Sequence, residues 1–254
     1  MIGIFDSGIG GLSIWQGIVQ HMPDVSTLYL ADQSWAPYGN RPVSDIKKRG
    51  YAITDFLKEQ GATVIVIACN TATVNITVSH LRNKYPDLIF VGVEPPIKKL
   101  ASLTKSGHIG LFATKATCQS KRVESLVDQY TTDISVDIIA TLDWAELVEK
   151  NFPESETTNS VKFYLSQLSN NIDVVGLGCT HYPFLLPWLE HINPDIQYID
   201  VVEPVAYRTQ SLYVSHHERN TSHRFITTSE DTSILETALQ DLLGIDSHVE
   251  SILI

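Results

Sequence analysis

Short apolar runs alternate with amphipathic stretches along almost the whole chain, and no other feature limits the fold as tightly. Candidate strands are Gly3–Phe5, Thr27–Ala31, Thr63–Ala68, Ile89–Val93, His108–Phe112, Ser135–Ala140, Asp173–Leu177, Gln197–Ile199 and Arg224–Thr227. Helical patterns fall between them. Leu12–His21 stops at Pro23, and Thr73–Tyr85 stops at Pro86. Ser44–Gln60 has Ser44 as its expected N-cap and Gly61 as its stop. Further helices are expected within Thr114–Gln129, Asp143–Asn151, Glu156–Ser169, Phe184–His191, Pro204–Tyr213 and Asp231–Leu243. Strands alternating with helices predict an α/β fold with mainly parallel sheet.

One correspondence divides the chain in two. Val64-Ile-Val-Ile-Ala-Cys69-Asn70-Thr71 has a counterpart in Val174-Val-Gly-Leu-Gly-Cys179-Thr180-His181. Each is a strand ending in cysteine, then small polar residues, then a helix. Parallel sheets bind ligands at the carboxyl ends of their strands. The expectation is therefore two pseudo-symmetric α/β domains with the active site in the cleft between them.

Composition narrows the partners. The 254 residues are 43 % hydrophobic and 19 % charged, which allows a packed core, and the net charge of −11 opposes nucleic acid and anionic lipid. The basic clusters Lys47-Lys48-Arg49 and Lys98-Lys99 are expected on solvated helix faces. No run approaches the roughly 20 apolar residues of a membrane helix, and the start lacks the marks of a signal peptide. A cytoplasmic protein is expected, with neither a nucleic acid nor a membrane partner. Three widely spaced cysteines do not form a disulfide framework.

The loop Asp6-Ser7-Gly8-Ile9-Gly10-Gly11 follows a strand and opens a helix, a place where backbone N–H groups bind anions. It nearly matches a dinucleotide fingerprint, with Asp32 at the distance of a ribose-binding acid. The third glycine is missing, and Asp6 sets a negative charge where pyrophosphate would come, so that reading is disfavoured. Cys118, inside a helical pattern, reads as a packing residue. Cys69 and Cys179 stand where thiolates gain support from helix N-termini. A Cys179–His181 hydrolase would leave Cys69 idle, and a zinc site of Cys69, Cys179 and His181 lacks a fourth ligand. His216-His217 reads as solvated. Inverting a stereocentre, by contrast, needs one base on each face of a carbon, and two thiols of similar acidity suit that exchange.

Several segments resemble the glutamate racemase family. They are Phe5-Asp6-Ser7-Gly8-Ile9-Gly10-Gly11-Leu12, Tyr29-Leu30-Ala31-Asp32 with Pro37-Tyr38-Gly39, Ala68-Cys69-Asn70-Thr71-Ala72, Gly92-Val93-Glu94-Pro95, Ala113-Thr114-Lys115-Ala116-Thr117 and Leu177-Gly178-Cys179-Thr180-His181-Tyr182-Pro183. Related aspartate racemases carry Cys-Thr-Glu at the second cysteine, so Cys179-Thr180-His181 favours glutamate over aspartate. The resemblance implies a racemase without cofactor that supplies D-glutamate for peptidoglycan. In it Cys69 serves the D face with Asp6 as helper, and Cys179 the L face with His181 as helper. Ser7, Tyr38, Gly39, Asn70, Thr71, Thr117 and Thr180, together with Asp6 and His181, would hold the substrate. It further implies a first domain of residues 1–95 plus 206–254, a second of 96–205, and no pyridoxal phosphate or metal. A homodimer is expected for such a fold. A racemase of a related acidic amino acid, such as aspartate, and a non-catalytic anion-binding regulator of the same fold are the alternatives. Ala113 and Ala116 stand where the family often has glycine. A supporting glutamate is implied mid-chain, with Glu146 and Glu149 both in that region. The segment after Tyr213, with its His216-His217-Glu218-Arg219, departs from the pattern.

Overall fold

The computed structural model describes residues 1–76, 78–214 and 221–254, so His216-His217-Glu218-Arg219 lies outside the described residues. The chain forms two compact units, Met1–Val93 with Val202–Ile254, and Glu94–Val201. In chain order the first unit begins with β1 (Ile2–Asp6), α1 (Leu12–His21), β2 (Thr27–Ala31), α2 (Val43–Glu59), β3 (Val64–Ile67), α3 (Asn70–Ile76), α4 (Val78–Lys84) and β4 (Ile89–Gly92). The second unit contains α5 (Ile97–Leu103), β5 (His108–Ala113), α6 (Lys115–Cys118), α7 (Lys121–Tyr130), β6 (Ser135–Ala140), α8 (Trp144–Glu149), α9 (Glu154–Leu165), β7 (Val174–Gly178), α10 (Leu186–Ile192) and β8 (Gln197–Ile199). The chain then returns to the first unit with α11 (Val202–Leu212), β9 (His223–Thr227), α12 (Ser233–Leu243) and β10 (Val249–Ser251).

Each unit has one sheet, in order β10-β9-β2-β1-β3-β4 and β6-β5-β7-β8. Every pairing is parallel. Every residue of β1, β2, β3 and β7 is buried, as expected where helices cover both sheet faces. That double burial is why these strands read as unbroken apolar runs. In the first unit Phe5, Leu28, Leu30, Ile65 and Ile67 share a core with Ile53 and Leu57 of α2. In the second, the buried Trp144 ring lies 4.8 Å from Phe112, 5.0 Å from Tyr182 and 5.6 Å from Tyr164, centroid to centroid.

Three local expectations change. α2 starts at Val43 with Pro42 as its cap, because Pro42 is extended (ψ 140°) and its carbonyl accepts from Asp45 and Ile46 N–H. Ser44 instead donates to Asp45. The helix expected from Thr73 starts at Asn70, and its described parts are α3 and α4. Finally, Arg49 is buried rather than solvated, because it finds the carboxylate of Asp32 (Nη2 to Oδ1, 2.6 Å). Lys98 and Lys99 are exposed as expected. Gly61 ends α2 at φ 91°, a conformation that favours glycine. Two elements have weak sequence signals. α5 follows Pro95-Pro96, and β10 is a three-residue edge strand whose Glu250 takes a two-pronged bond from Arg224 on β9 (2.9 Å each). Among the described residues no helix is long and apolar enough to cross a membrane.

Asp173, just before β7, ties down the turn between α5 and β5. It accepts from the N–H groups of Lys105 (2.7 Å) and Ser106 (3.0 Å) and from the hydroxyls of Thr104 (2.7 Å) and Ser106 (3.1 Å). Partial burial pushes its pKa up, but these bonds outweigh it and bring it from 3.8 to about 2. A depressed carboxylate pKa adds stability above the unfolded value, and that stability is lost as pH falls through the folded value. Asp173→Asn is expected to cost about 1 kcal/mol at neutral pH, allowing for solvent screening. The gap to wild type should close as pH falls from 3.8 to about 2, measured by urea unfolding.

Candidate active site

In the first unit the strand ends of β1 and β3 bring Asp6, Ser7 and Cys69 together. Asp6 is fully buried, and its Oδ1 accepts from Ser7 Oγ (3.0 Å) and Gly8 N–H (3.2 Å). Ser7 Oγ lies 3.8 Å from Cys69 Sγ. With its own proton directed at Asp6, the Ser7 oxygen can accept the thiol proton, so the order thiol, hydroxyl, carboxylate forms a proton path. Asp6 and Cys69, expected as partners, are thus linked through Ser7. Gly11 permits this: a Cβ there would lie 2.7 Å from Asp6 Cβ and 3.0 Å from the Tyr29 hydroxyl.

Cys69 itself opens α3. Its Sγ accepts the Ala72 N–H (3.4 Å), and its carbonyl accepts Thr73 N–H (2.8 Å). A sulfur in this position takes up an otherwise unpaired helix N–H, which favours its anionic form. Asn70 and Thr71 follow, both buried. Among the described residues, neither the amide nitrogen nor the amide oxygen of Asn70 has a hydrogen-bond partner. A buried amide without partners costs roughly 1–3 kcal/mol per group, a cost that pairing with one donor and one acceptor would offset. The Tyr38 ring is buried in the same core as Cys69, and its hydroxyl donates to Asp32 Oδ2 at 2.6 Å. Burial first, then the Asp32 charge and hydrogen bond, hold the Tyr38 phenol well above its usual pKa. Gly39 is exposed, and a Cβ built there meets nothing within 4 Å. Asp32 is occupied by Tyr38, Arg49 and Thr228, which leaves no oxygen on offer to a nucleotide ribose.

In the second unit β7 delivers Cys179, and the turn that follows returns His181 to it. Cys179 Sγ lies 3.6 Å from His181 Nδ1, and His181 Nε2 lies 2.8 Å from Glu149 Oε1. A carboxylate at Nε2 fixes the proton there and leaves Nδ1 to take the thiol proton. Burial lowers the His181 pKa, but the bonds to Cys179 and Glu149 more than reverse this, and the net shift is well upward. Glu149 is therefore the mid-chain glutamate in contact with the histidine. Glu146 instead pairs with Lys150 on the surface (2.7 Å). The spacing of Glu146 and Lys150 is a sequence signal for that surface pair. Thr180 is buried, and Thr117 is buried with its hydroxyl accepting from Thr114 (3.0 Å). Ala113 fits in place of glycine because its partner across the strands is Gly178, where a Cβ would come within 2.9 Å of the Ala113 methyl. Burial raises the Cys118 thiol to about 11, in keeping with a packing role. Among the described residues no group of three or more His, Cys, Asp or Glu side chains could hold a metal ion.

Comparison with known proteins defines the class as racemases. The Asp/Glu/Hydantoin racemase family matches residues 3–208. A glutamate racemase from Ectopseudomonas mendocina is 37 % identical over 98 % of this chain and 96 % of its own. One from Pseudomonas syringae pv. tomato is 41 % identical over 83 % and 78 %. Among solved structures, a glutamate racemase isoform from Bacillus anthracis superposes with TM-score 0.88 at 31 % identity, covering 99 % of this chain and 97 % of that one. The Escherichia coli glutamate racemase in complex with L-glutamate and the activator UDP-MurNAc-Ala also gives 0.88, at 27 % identity and the same coverage. An aspartate racemase from Picrophilus torridus, at 20 % identity and TM-score 0.55, shares the fold alone. The chain belongs to the Asp/Glu/Hydantoin racemase family, and it is an isomerase.

Proposed function

We propose that the chain interconverts L- and D-glutamate without a cofactor, with Cys179 and Cys69 as the two bases. The observation that carries this reading is the matched pair of thiols, each at a strand end and each with its own proton acceptor. Cys69 has Ser7 and Asp6, and Cys179 has His181 and Glu149. The thiolate of Cys179 removes the α-proton of L-glutamate. The electron pair left on carbon spreads into the α-carboxylate. The Cys69 thiol then delivers its proton to the opposite face, which leaves Cys69 as thiolate and Cys179 as thiol. The reverse reaction runs from that state. This chemistry requires both sulfurs to reach one α-carbon from opposite sides.

The unpaired amide of Asn70 offers a donor and an acceptor to the substrate. Ser7, Tyr38, Gly39, Thr71, Thr117 and Thr180 complete the proposed binding set, with backbone N–H groups and hydroxyls in place of arginine. Glutamate as substrate is supported by the names of the relatives and by His181 after Cys179-Thr180. The product would serve peptidoglycan synthesis.

The test is incubation of purified protein, free of pyridoxal phosphate, with L-glutamate in D2O. D-glutamate carrying deuterium at the α-carbon is expected, up to equal amounts of the two enantiomers. Absence of both racemisation and exchange overturns the reading. Faster turnover of L-aspartate in a parallel assay would reassign the substrate, and binding without exchange would make the chain a regulator.

A further inference from the structure

Asp32 and Arg49 form a buried ion pair that no step of the proposed chemistry uses. Asp32 is fully buried and Arg49 is 5 % exposed. Arg49 grips the carboxylate with two prongs, Nε to Oδ2 at 2.8 Å and Nη2 to Oδ1 at 2.6 Å. A buried pair is weak as a source of net stability, since desolvation offsets most of the attraction. What it supplies is fixed geometry, and here the geometry points at one segment. Asp32 Oδ2 also takes the Tyr38 hydroxyl, and Oδ1 takes the Thr228 hydroxyl at 2.8 Å. Thr228 in turn accepts from both the N–H (3.2 Å) and the hydroxyl (2.9 Å) of Ser34. Arg49 lies over the Trp35 ring at 5.2 Å and donates through Nη1 to the carbonyl of Ile254.

The segment from Ser34 to Tyr38 is therefore tied at both ends to one carboxylate. The tie at Ser34 runs through Thr228, and Arg49, which grips the same carboxylate, donates to Ile254; both residues lie beyond the family match that ends at 208. Nothing in the strand pattern of that late region announces such a role. It follows from β9 pairing with β2, which sets Thr227 beside Ala31 and so Thr228 beside Asp32.

We propose that Asp32 is a positioning residue that, with Arg49 and Thr228, holds Tyr38 against Cys69 and so shapes the substrate-binding loop at Tyr38-Gly39. The inference rests on the racemase reading for what the loop binds. Thr228→Val is the primary test, because it keeps the side chain's shape while removing its hydrogen bonds to Asp32 and Ser34. Asp32→Asn is the stronger variant. Both are assayed for glutamate racemisation and for backbone hydrogen exchange.

For Thr228→Val, a three- to tenfold rise in KM is expected, on the order of one lost hydrogen bond, with kcat changed less than KM. Exchange at residues 34–41 should quicken while β1 and β3 keep their protection. A purely structural role would instead lower protection throughout the first unit and leave KM alone. If wild-type protein racemises glutamate and both variants keep wild-type KM and wild-type exchange at 34–41, the inference fails by itself. If Asp32→Asn does not fold, Thr228→Val still decides. A wild type that neither racemises nor exchanges glutamate fails the functional reading and the inference with it.

Discussion

Cys69→Ser and Cys179→Ser are each expected to reduce racemisation by about 10²–10⁴-fold, the range typical for losing a positioned acid or base. The loss must be equal in both directions when expressed as kcat/KM. The enantiomers have equal free energy in water, so no variant can change the equilibrium ratio. The two variants differ instead in a partial reaction. Cys179→Ser keeps the Cys69 thiolate, which can remove and return the α-proton of D-glutamate on one face. In D2O it should wash deuterium into D-glutamate faster than it forms L-glutamate. Cys69→Ser should do the same with L-glutamate. Wild-type rates in either variant would refute the two-thiol chemistry, and washout with the enantiomers exchanged would reverse the face assignment.

The second large effect concerns the Cys179 side. His181→Asn is expected to lower kcat/KM by about 10²-fold or more, because the thiol proton loses its acceptor. Glu149→Gln should cost less and report more. The carboxylate 2.8 Å from Nε2 helps hold the imidazole pKa above its usual value against the downward pull of burial. Without it the pKa falls, and the limb of the pH–rate profile set by His181 moves to lower pH. Linkage gives an independent check. A histidine whose folded pKa is raised adds stability in full below the unfolded value of about 6.5, and this is lost as pH rises through the folded value. Glu149→Gln should thus be most destabilised relative to wild type below that unfolded value, with the difference shrinking at alkaline pH. Urea unfolding across pH measures it. An unchanged pH–rate profile in Glu149→Gln would remove the carboxylate from the mechanism.

Much of this was already written in the order of residues. Burial of a parallel strand on both faces demands an unbroken apolar run, so β1, β2, β3 and β7 could be read directly. The turns after β3 and β7 could be read as well, because cysteine followed by small polar residues at a strand end has few packing explanations. Tertiary structure decided what depends on distant partners. The spacing of Glu146 and Lys150 marks a local surface pair, but only packing brings Glu149 to His181, 32 residues further along the chain. Arg49 stands in a basic run fit for solvent, and only the arrangement of β2 and α2 gives it the buried carboxylate of Asp32. The short edge strand β10 exists because β9 offers it a partner. Periodicity and turn chemistry act within a few residues of one another, so sequence reveals them. A hydrogen bond between residues 32 and 228 depends on the pairing of strands far apart in the chain, and no local pattern encodes it.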